Sequence, residues 1–159
     1  MKEVVNKNSG KTPPFDFNKI KIVIKKSKDK EPEVIYLDRK WAKAHIPHFK
    51  QVIDGVKTQE GIEITLTCNL EAFNFCVRYL ETEEREREQL ITEKVAPNNC
   101  LSIMVTAEFL QLRKVAHHVT QRSFYKDFVQ IINNCKLNLT TLNPRLMQDI
   151  AKGVNFDQI

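Results

Sequence analysis

The sequence predicts an α+β domain in which a small three-stranded sheet packs against a cluster of about five or six helices. Two stretches, KIKIVI from Lys19 and GIEITLT from Gly61, alternate along the chain with the two-residue period of half-buried strands. Two others, residues 70–81 and 99–124, repeat apolar residues at intervals of three and four, the period of helices turned toward a core. Strands come first and a helix-rich half with local connections follows, which separates this class from a regular strand–helix alternation.

Residues 1–14 hold Asn8, Ser9, Gly10 and the Pro13–Pro14 pair with no periodicity, so residues 1–17 are expected to form a flexible basic arm ahead of a domain over 18–132. In the first strand Ile20, Ile22 and Ile24 alternate with Lys21, Val23 and Lys25. The charged, turn-forming run Ser27 to Pro32 joins it to a second strand, Val34 to Leu37, as a hairpin. Asp38 is placed to cap a helix DRKWAKAH with Trp41 and Ala44 or His45 on one side. Pro47 interrupts that helix and starts a fresh one, IPHFKQVI, because proline suits a first helical turn and breaks an interior one. Phe49, Val52 and Ile53 face inward there, and Asp54–Gly55 end it.

The third strand buries Ile62, Ile64 and Leu66, and Asn69 caps a helix stepped by Leu70, Phe73, Val77 and Leu80. The charged run Glu81 to Glu88 reads as a solvated extension or loop, and Leu90, Ile91 and Val95 as a short strand. From Asn99 the residues Leu101, Met104, Val105, Ala107, Phe109, Leu112, Val115, Ala116 and Val119 turn one side inward. The register shifts at Gln111 to Arg113, so two helices meet at a corner, the first more deeply buried and capped by Asn99. The tail 133–159 is expected to be a helical extension packed on the same domain, with Asn143 as cap, Pro144 in the first turn and Gly153 at the end.

Hydrophobic content of 42% beside 28% charged residues suits an ordinary globular chain, and no apolar run nears the roughly 20 residues of a membrane helix. The N-terminus carries no apolar segment of signal-peptide length, so an intracellular, reducing compartment is expected. Cys68, Cys76, Cys100 and Cys135 contain no CxxC pair and read as buried thiols. Of the +5 net charge, residues 1–30 hold more than the whole, with nine lysines against Glu3, Asp16 and Asp29. Such a front end suits either a solvated sheet edge or an anionic partner. The lysines are not interleaved with aromatics that stack on bases, which favours the solvated edge.

No catalytic constellation, cofactor loop or metal set is found in the sequence. Gly10, Gly55, Gly61 and Gly153 are too scattered to cradle a phosphate. His45 and His48 are three apart and His117 and His118 adjacent, with no cysteine or carboxylate at a matching interval for zinc. Ser102 and Ser123 lie inside helical patterns without the turn that exposes a nucleophile.

Four stretches taken in order resemble the BTB/POZ family. They are the hairpin KIKIVI to VIYL; Ile46-Pro47-His48-Phe49, similar to the family's Ser-Pro-aromatic-Phe; ITLTCNLEAFNFCVRYLET; and NCLSIMVTAEFLQLRKVAHHV, similar to the family's asparagine-led helix and Leu-Gln corner. They cover roughly residues 18–128. The aspartate usual in the family's first strand and the Ala-His opening its first helix are absent, and Asp38-Arg39-Lys40-Trp41 stands there instead. The pattern is most similar to a divergent branch, the BTB-like domain of SANT-and-BTB regulator proteins, which also continues into a segment like NLTTLNPRLMQDIAKGV. The resemblance implies a non-catalytic module that assembles as a homodimer or in a hetero-oligomeric complex and docks larger proteins. In many dimeric members an extra N-terminal helix and strand swap between subunits. Residues 1–14, with two prolines and no helical pattern, imply a different partner surface.

The leading expectation is therefore a scaffold or bridging subunit of an intracellular complex, nuclear and chromatin- or DNA-associated, with protein partners and no membrane, cofactor or small-molecule substrate. Its partner interface is expected at Trp41, His45, His48, Ile20 and Ile22. The alternatives are an elongin C-like adaptor of a cullin ubiquitin ligase and a nucleic-acid-binding accessory subunit that uses Lys21, Lys25, Lys26, Lys28 and Lys30. Cytoplasmic or cytoskeletal placement is the alternative to the nucleus.

Overall fold

The computed structural model describes residues 2–4, 16–25, 30–56, 61–134 and 144–153, in two compact units, Met1–Leu70 and Glu71–Ile159. The first unit is a mixed sheet with two short helices and the second is helical, an α+β composition.

In the first unit the sheet runs in the order β1-β3-β2-β4. Strand β2 (Lys19–Ile24) is antiparallel to β3 (Glu33–Asp38), with Ile22 opposite Ile35 and Ile20 opposite Leu37, as the hairpin reading requires. On its other side β2 runs parallel to β4 (Glu63–Leu66), with Ile22 opposite Ile64 and Ile24 opposite Leu66. A parallel neighbour needs a crossover, supplied here by the helices α1 (Arg39–His45) and α2 (Pro47–Gly55). Ile20, Ile22 and Ile24 are fully buried and Val23 nearly so, which suits a strand paired on both edges. Each such side chain contributes about 2 kcal/mol of transfer free energy.

The three expected strands are joined by a fourth, β1 (Lys2–Val4), antiparallel to β3 with Glu3 opposite Tyr36. These residues were expected within an arm. Three residues are too few to show a period, but the outer edge of β3 offers a row of hydrogen-bonding groups that any extended segment can satisfy.

Helix α1 begins as its sequence requires: the Trp41 N–H donates to Asp38 Oδ1 at 2.8 Å. Proline opens α2 at its first position, and Phe49 and Ile53 are buried on its inner side. Asp54 near its end accepts from Lys43 of α1 at 2.6 Å and Lys50 of α2 at 2.7 Å. Those two ammonium groups hold its carboxyl below the ordinary range.

In the second unit, α3 (Leu70–Glu81) buries Phe73, Phe75, Cys76, Val77 and Tyr79. Arg87 Nε donates to the Tyr79 and Thr82 carbonyls at 3.2 and 3.0 Å, satisfying acceptors that the end of α3 leaves open, and its guanidinium lies 4.8 Å from the Tyr79 ring centre. The strand expected at Leu90, Ile91 and Val95 is instead helix α4 (Arg87–Lys94), with Leu90 and Ile91 buried. REQLITEK is rich in straight-chain helix formers, and its two apolar side chains are adjacent rather than alternating.

Helix α5 (Cys100–Phe109) is the more buried of the pair, as expected. Cys100, Leu101, Ile103, Met104, Thr106 and Ala107 are all inside, while Val105 and Phe109, expected inward, are 39% and 50% exposed. Asn99 precedes the helix without capping it. Its Oδ1 accepts from Ala96 N at 2.8 Å and its Nδ2 donates to Lys94 O at 2.9 Å, so the side chain closes the turn from α4. The corner falls where the register shift puts it. Gln111 has φ 60°, Leu112 N donates to Ala107 O at 2.8 Å and Gln111 N to Glu108 O at 3.0 Å, the paired bonds of a Schellman end with buried Leu112 as its apolar partner.

Helix α6 (Arg113–Val119) continues into one wider π turn over Thr120–Phe124, followed by α7 (Phe128–Asn134). Phe124 is fully buried and meets Phe128 edge to face at 5.4 Å. Helix α8 (Pro144–Gly153) forms with proline first and glycine last; Asn143, Cys135 and the leucines at 137, 139 and 142 lie outside the described residues. Cys76 and Cys100 are buried as read from the sequence, whereas Cys68 is only half-buried, and that partial burial pushes its thiol up to about 11. Among the described residues no helix is long and apolar enough to cross a membrane.

The Tyr79 hydroxyl lies 2.8 Å from His118 Nδ1. Burial, then the Arg122 guanidinium, lowers the His118 pKa below 6.5, which favours the neutral ring in this pair. His48 is lowered by burial as well.

Replacing Asp38 by alanine removes the cap of α1 and lowers unfolding free energy by about 1 kcal/mol, read as a lower denaturant midpoint at unchanged slope. The folded chain holds fewer protons on His118 and His48 than the unfolded chain, so their stabilising contribution is complete above 6.5 and is lost as pH falls through the lowered values. Melting temperature therefore drops as pH falls through 6.5 toward the lowered values, and His118→Gln, which keeps a hydrogen-bonding partner for Tyr79, shrinks that drop. An unchanged drop in the variant removes His118 as a source.

Candidate functional site

The expected interface residues fall into two groups. Ile20 and Ile22 are fully buried in β2 and present no side-chain surface to a partner. Their alternation marked the inner face of a central strand rather than an edge, which corrects the interface reading at both positions. Trp41, His45 and His48 lie on α1 and the start of α2, with Trp41 and His48 half-buried and His45 exposed. The Trp41 and His45 rings stack at 4.9 Å and 21°, four residues apart on one helical face. His45 Nδ1 lies 2.9 Å from the Trp41 carbonyl; since a carbonyl only accepts, this nitrogen carries the proton. The Asp38 cap fixes the first turn beneath Trp41, and the Asp54 bridge ties the end of α1 to α2, so the aromatic pair stands on a braced helix. Exposed Ala44 adjoins it on the same side.

The lysine-rich front end is less available than its composition implied. Lys21 Nζ pairs with Glu63 Oε2 at 2.8 Å across the β2–β4 ladder, and that hydrogen bond raises its pKa. Lys25 and Lys30 are exposed; Lys26 and Lys28 lie outside the described residues.

A second cationic surface was not singled out from the sequence. Within the second unit a pocket of about 570 Å³ is lined by Glu108, Arg113, Lys114, Ala116, His117, Thr120, Gln121, Tyr125, Arg145 and Lys152. Its signal in the sequence is the spacing of Arg113, His117 and Gln121, four apart along the polar side of RKVAHHVTQ. The contribution from α8 is invisible in that spacing, because it comes from some thirty residues downstream. Exposed Val105 and Phe109, four apart on α5, form a further apolar pair that the periodicity assigned to the core.

Among the described residues no group of three or more His, Cys, Asp or Glu side chains converges as a metal ion requires. The arrangement offers surfaces for recognition: a braced aromatic face, a cationic recess, and a sheet edge with mixed charge.

Comparison with known families supplies the remaining identification. The family model described as "SANT and BTB domain regulator of CSR, BTB domain" matches residues 20–120, more than half of the chain and nearly the span over which the BTB/POZ resemblance was read. BTB domains are, in general, protein–protein interaction modules, and the chain belongs to this BTB family.

Proposed function

We propose that this chain is a non-catalytic scaffold or bridging subunit of a larger nuclear complex, associated with chromatin or DNA, and that it docks a protein partner through the α1 face carrying Trp41 and His45. The observation that carries the reading is the stacked, braced aromatic pair on a short helix, in a chain of a BTB family. A half-buried tryptophan held in one orientation loses little side-chain entropy when a partner covers it, which is how a few aromatic residues come to dominate an interface. His48, at the second position of α2, extends the same end of the helix pair. The nuclear placement is supported by the family description, whose regulator carries a SANT domain beside its BTB domain.

The elongin C-like adaptor and the nucleic-acid accessory are the alternatives. The Lys21–Glu63 pair weighs against the second, because a lysine already neutralised releases fewer counterions on a phosphate backbone.

Affinity purification of the tagged chain from nuclear extract, with quantitative mass spectrometry, tests the reading. The wild-type chain is expected to recover chromatin-associated proteins. Both Trp41→Ala and Ala44→Arg, the latter at an exposed position that leaves the core intact, are expected to recover about tenfold less of them or lower still. Recovery of a cullin in place of chromatin proteins, or equal recovery by wild type and a folded Ala44→Arg chain, contradicts it.

A further inference from the structure

The pocket in the second unit carries a charge pattern that fold stability does not explain. Arg113, Lys114, Arg145 and Lys152 line it as basic side chains, with Glu108 the one carboxylate among the lining residues. Among the described residues Arg113, Lys114 and Lys152 have no ion-pair partner. Arg113 and Lys114 occupy the first turn of α6, where the helix dipole disfavours positive charge and where no acidic residue stands. Gathering like charges in a recess at the wrong end of a helix costs stability, and an anion bound there would reverse that cost.

The backbone is also shaped for this recess. Tyr125 N donates to Thr120 O at 3.3 Å, a five-residue bond that closes the π turn at the end of α6. Thr120, Gln121 and Tyr125 all line the pocket, so the widened turn delivers an amide and a phenol beside the cations. Single π turns of this kind cluster at binding sites because one extra residue re-aims the side chains that follow. Thr120 Oγ1 donates back to Ala116 O at 2.7 Å, so its hydroxyl proton is already engaged.

We propose that the pocket formed by α6, its π turn and α8 binds a phosphorylated, acidic peptide segment of a protein partner, with Arg113, Lys114, Arg145 and Lys152 around the phosphate and its flanking carboxylates. Guanidinium groups present forked donors that match phosphate oxygens, and the excess of cations suits a dianion with acidic neighbours. A pocket of about 570 Å³ admits a few residues of extended chain. A nucleic acid fits the site poorly. Duplex DNA presents its phosphates along a convex rod, and a single strand needs a run of stacking aromatics, whereas Tyr125 and the His117 imidazole are the two rings among the lining residues. The proposal rests on the reading of the chain as a docking module but uses a different surface from Trp41.

Fluorescence anisotropy on the full chain tests it with a fluorescein-labelled pentapeptide, phosphoserine flanked by two glutamates on each side. The same peptide with unmodified serine, inorganic phosphate as competitor and a short DNA duplex serve as comparisons. The phosphopeptide is expected to bind about tenfold more tightly than its unmodified form, and Arg113→Gln with Lys114→Gln to weaken it by about tenfold. Lys25→Gln with Lys30→Gln, neither of them among the lining residues, and Ala44→Arg are expected to leave it within about twofold. Equal binding of the two peptides, tighter binding of the duplex, or an equal loss in the Lys25/Lys30 variant overturns the pocket assignment. If the pocket fails while capture through α1 stays sensitive to Ala44→Arg, the docking reading stands without it.

Discussion

Burial of α5 is the constraint on which the second unit depends. Cys100, Leu101, Ile103, Met104, Thr106 and Ala107 occupy about two thirds of the helix circumference, well beyond the single stripe of an ordinary surface helix. A helix covered that broadly has to be followed closely by elements that fold back on it. The Schellman end at Gln111 turns the chain at once, so that α6 and the π turn return against α5. Even its polar and sulfur atoms are accommodated inside, as Cys100 Sγ and Met104 Sδ meet at 3.8 Å.

A buried centre of this kind leaves the polar side of α6 free of core packing. Val115, Ala116 and Val119 hold the helix inward, which leaves Arg113, Lys114 and His117 outward, unconstrained by core packing. The same division of labour appears in the first unit. Ala42 is buried and holds α1, Asp38 and Asp54 brace its two ends, and Trp41 and His45 stack on the side left over. In both units a short helix holds a few side chains in place.

Much of this was legible in the sequence, for identifiable reasons. The period-two strands, the Asp38 cap, the restart at Pro47 and the corner at Gln111 each depend on local backbone preferences that a few residues reveal. What was misread depended on neighbours. Ile20 and Ile22 looked like a face open to a partner because alternation does not say whether a strand is central, and β4 pairing on the far edge decides that. Phe109 matched the helical period yet lies half out, since the helix ends there and the turn at Gln111 carries the chain away. Leu90 and Ile91 gave no period long enough to distinguish strand from helix, and Arg87 bonding back to the end of α3 fixed the local start. The cationic pocket needed α8, whose position is set by packing and cannot be read from RKVAHH alone.

Native-state hydrogen exchange on the full chain, resolved to single helices, tests the central place of α5 most directly. Amides from Met104 to Ala107 are expected to exchange only through global unfolding and to be the slowest of the second unit, while those of α4 open locally. Exchange of the α5 amides through local openings, at rates matching α4, would contradict the account.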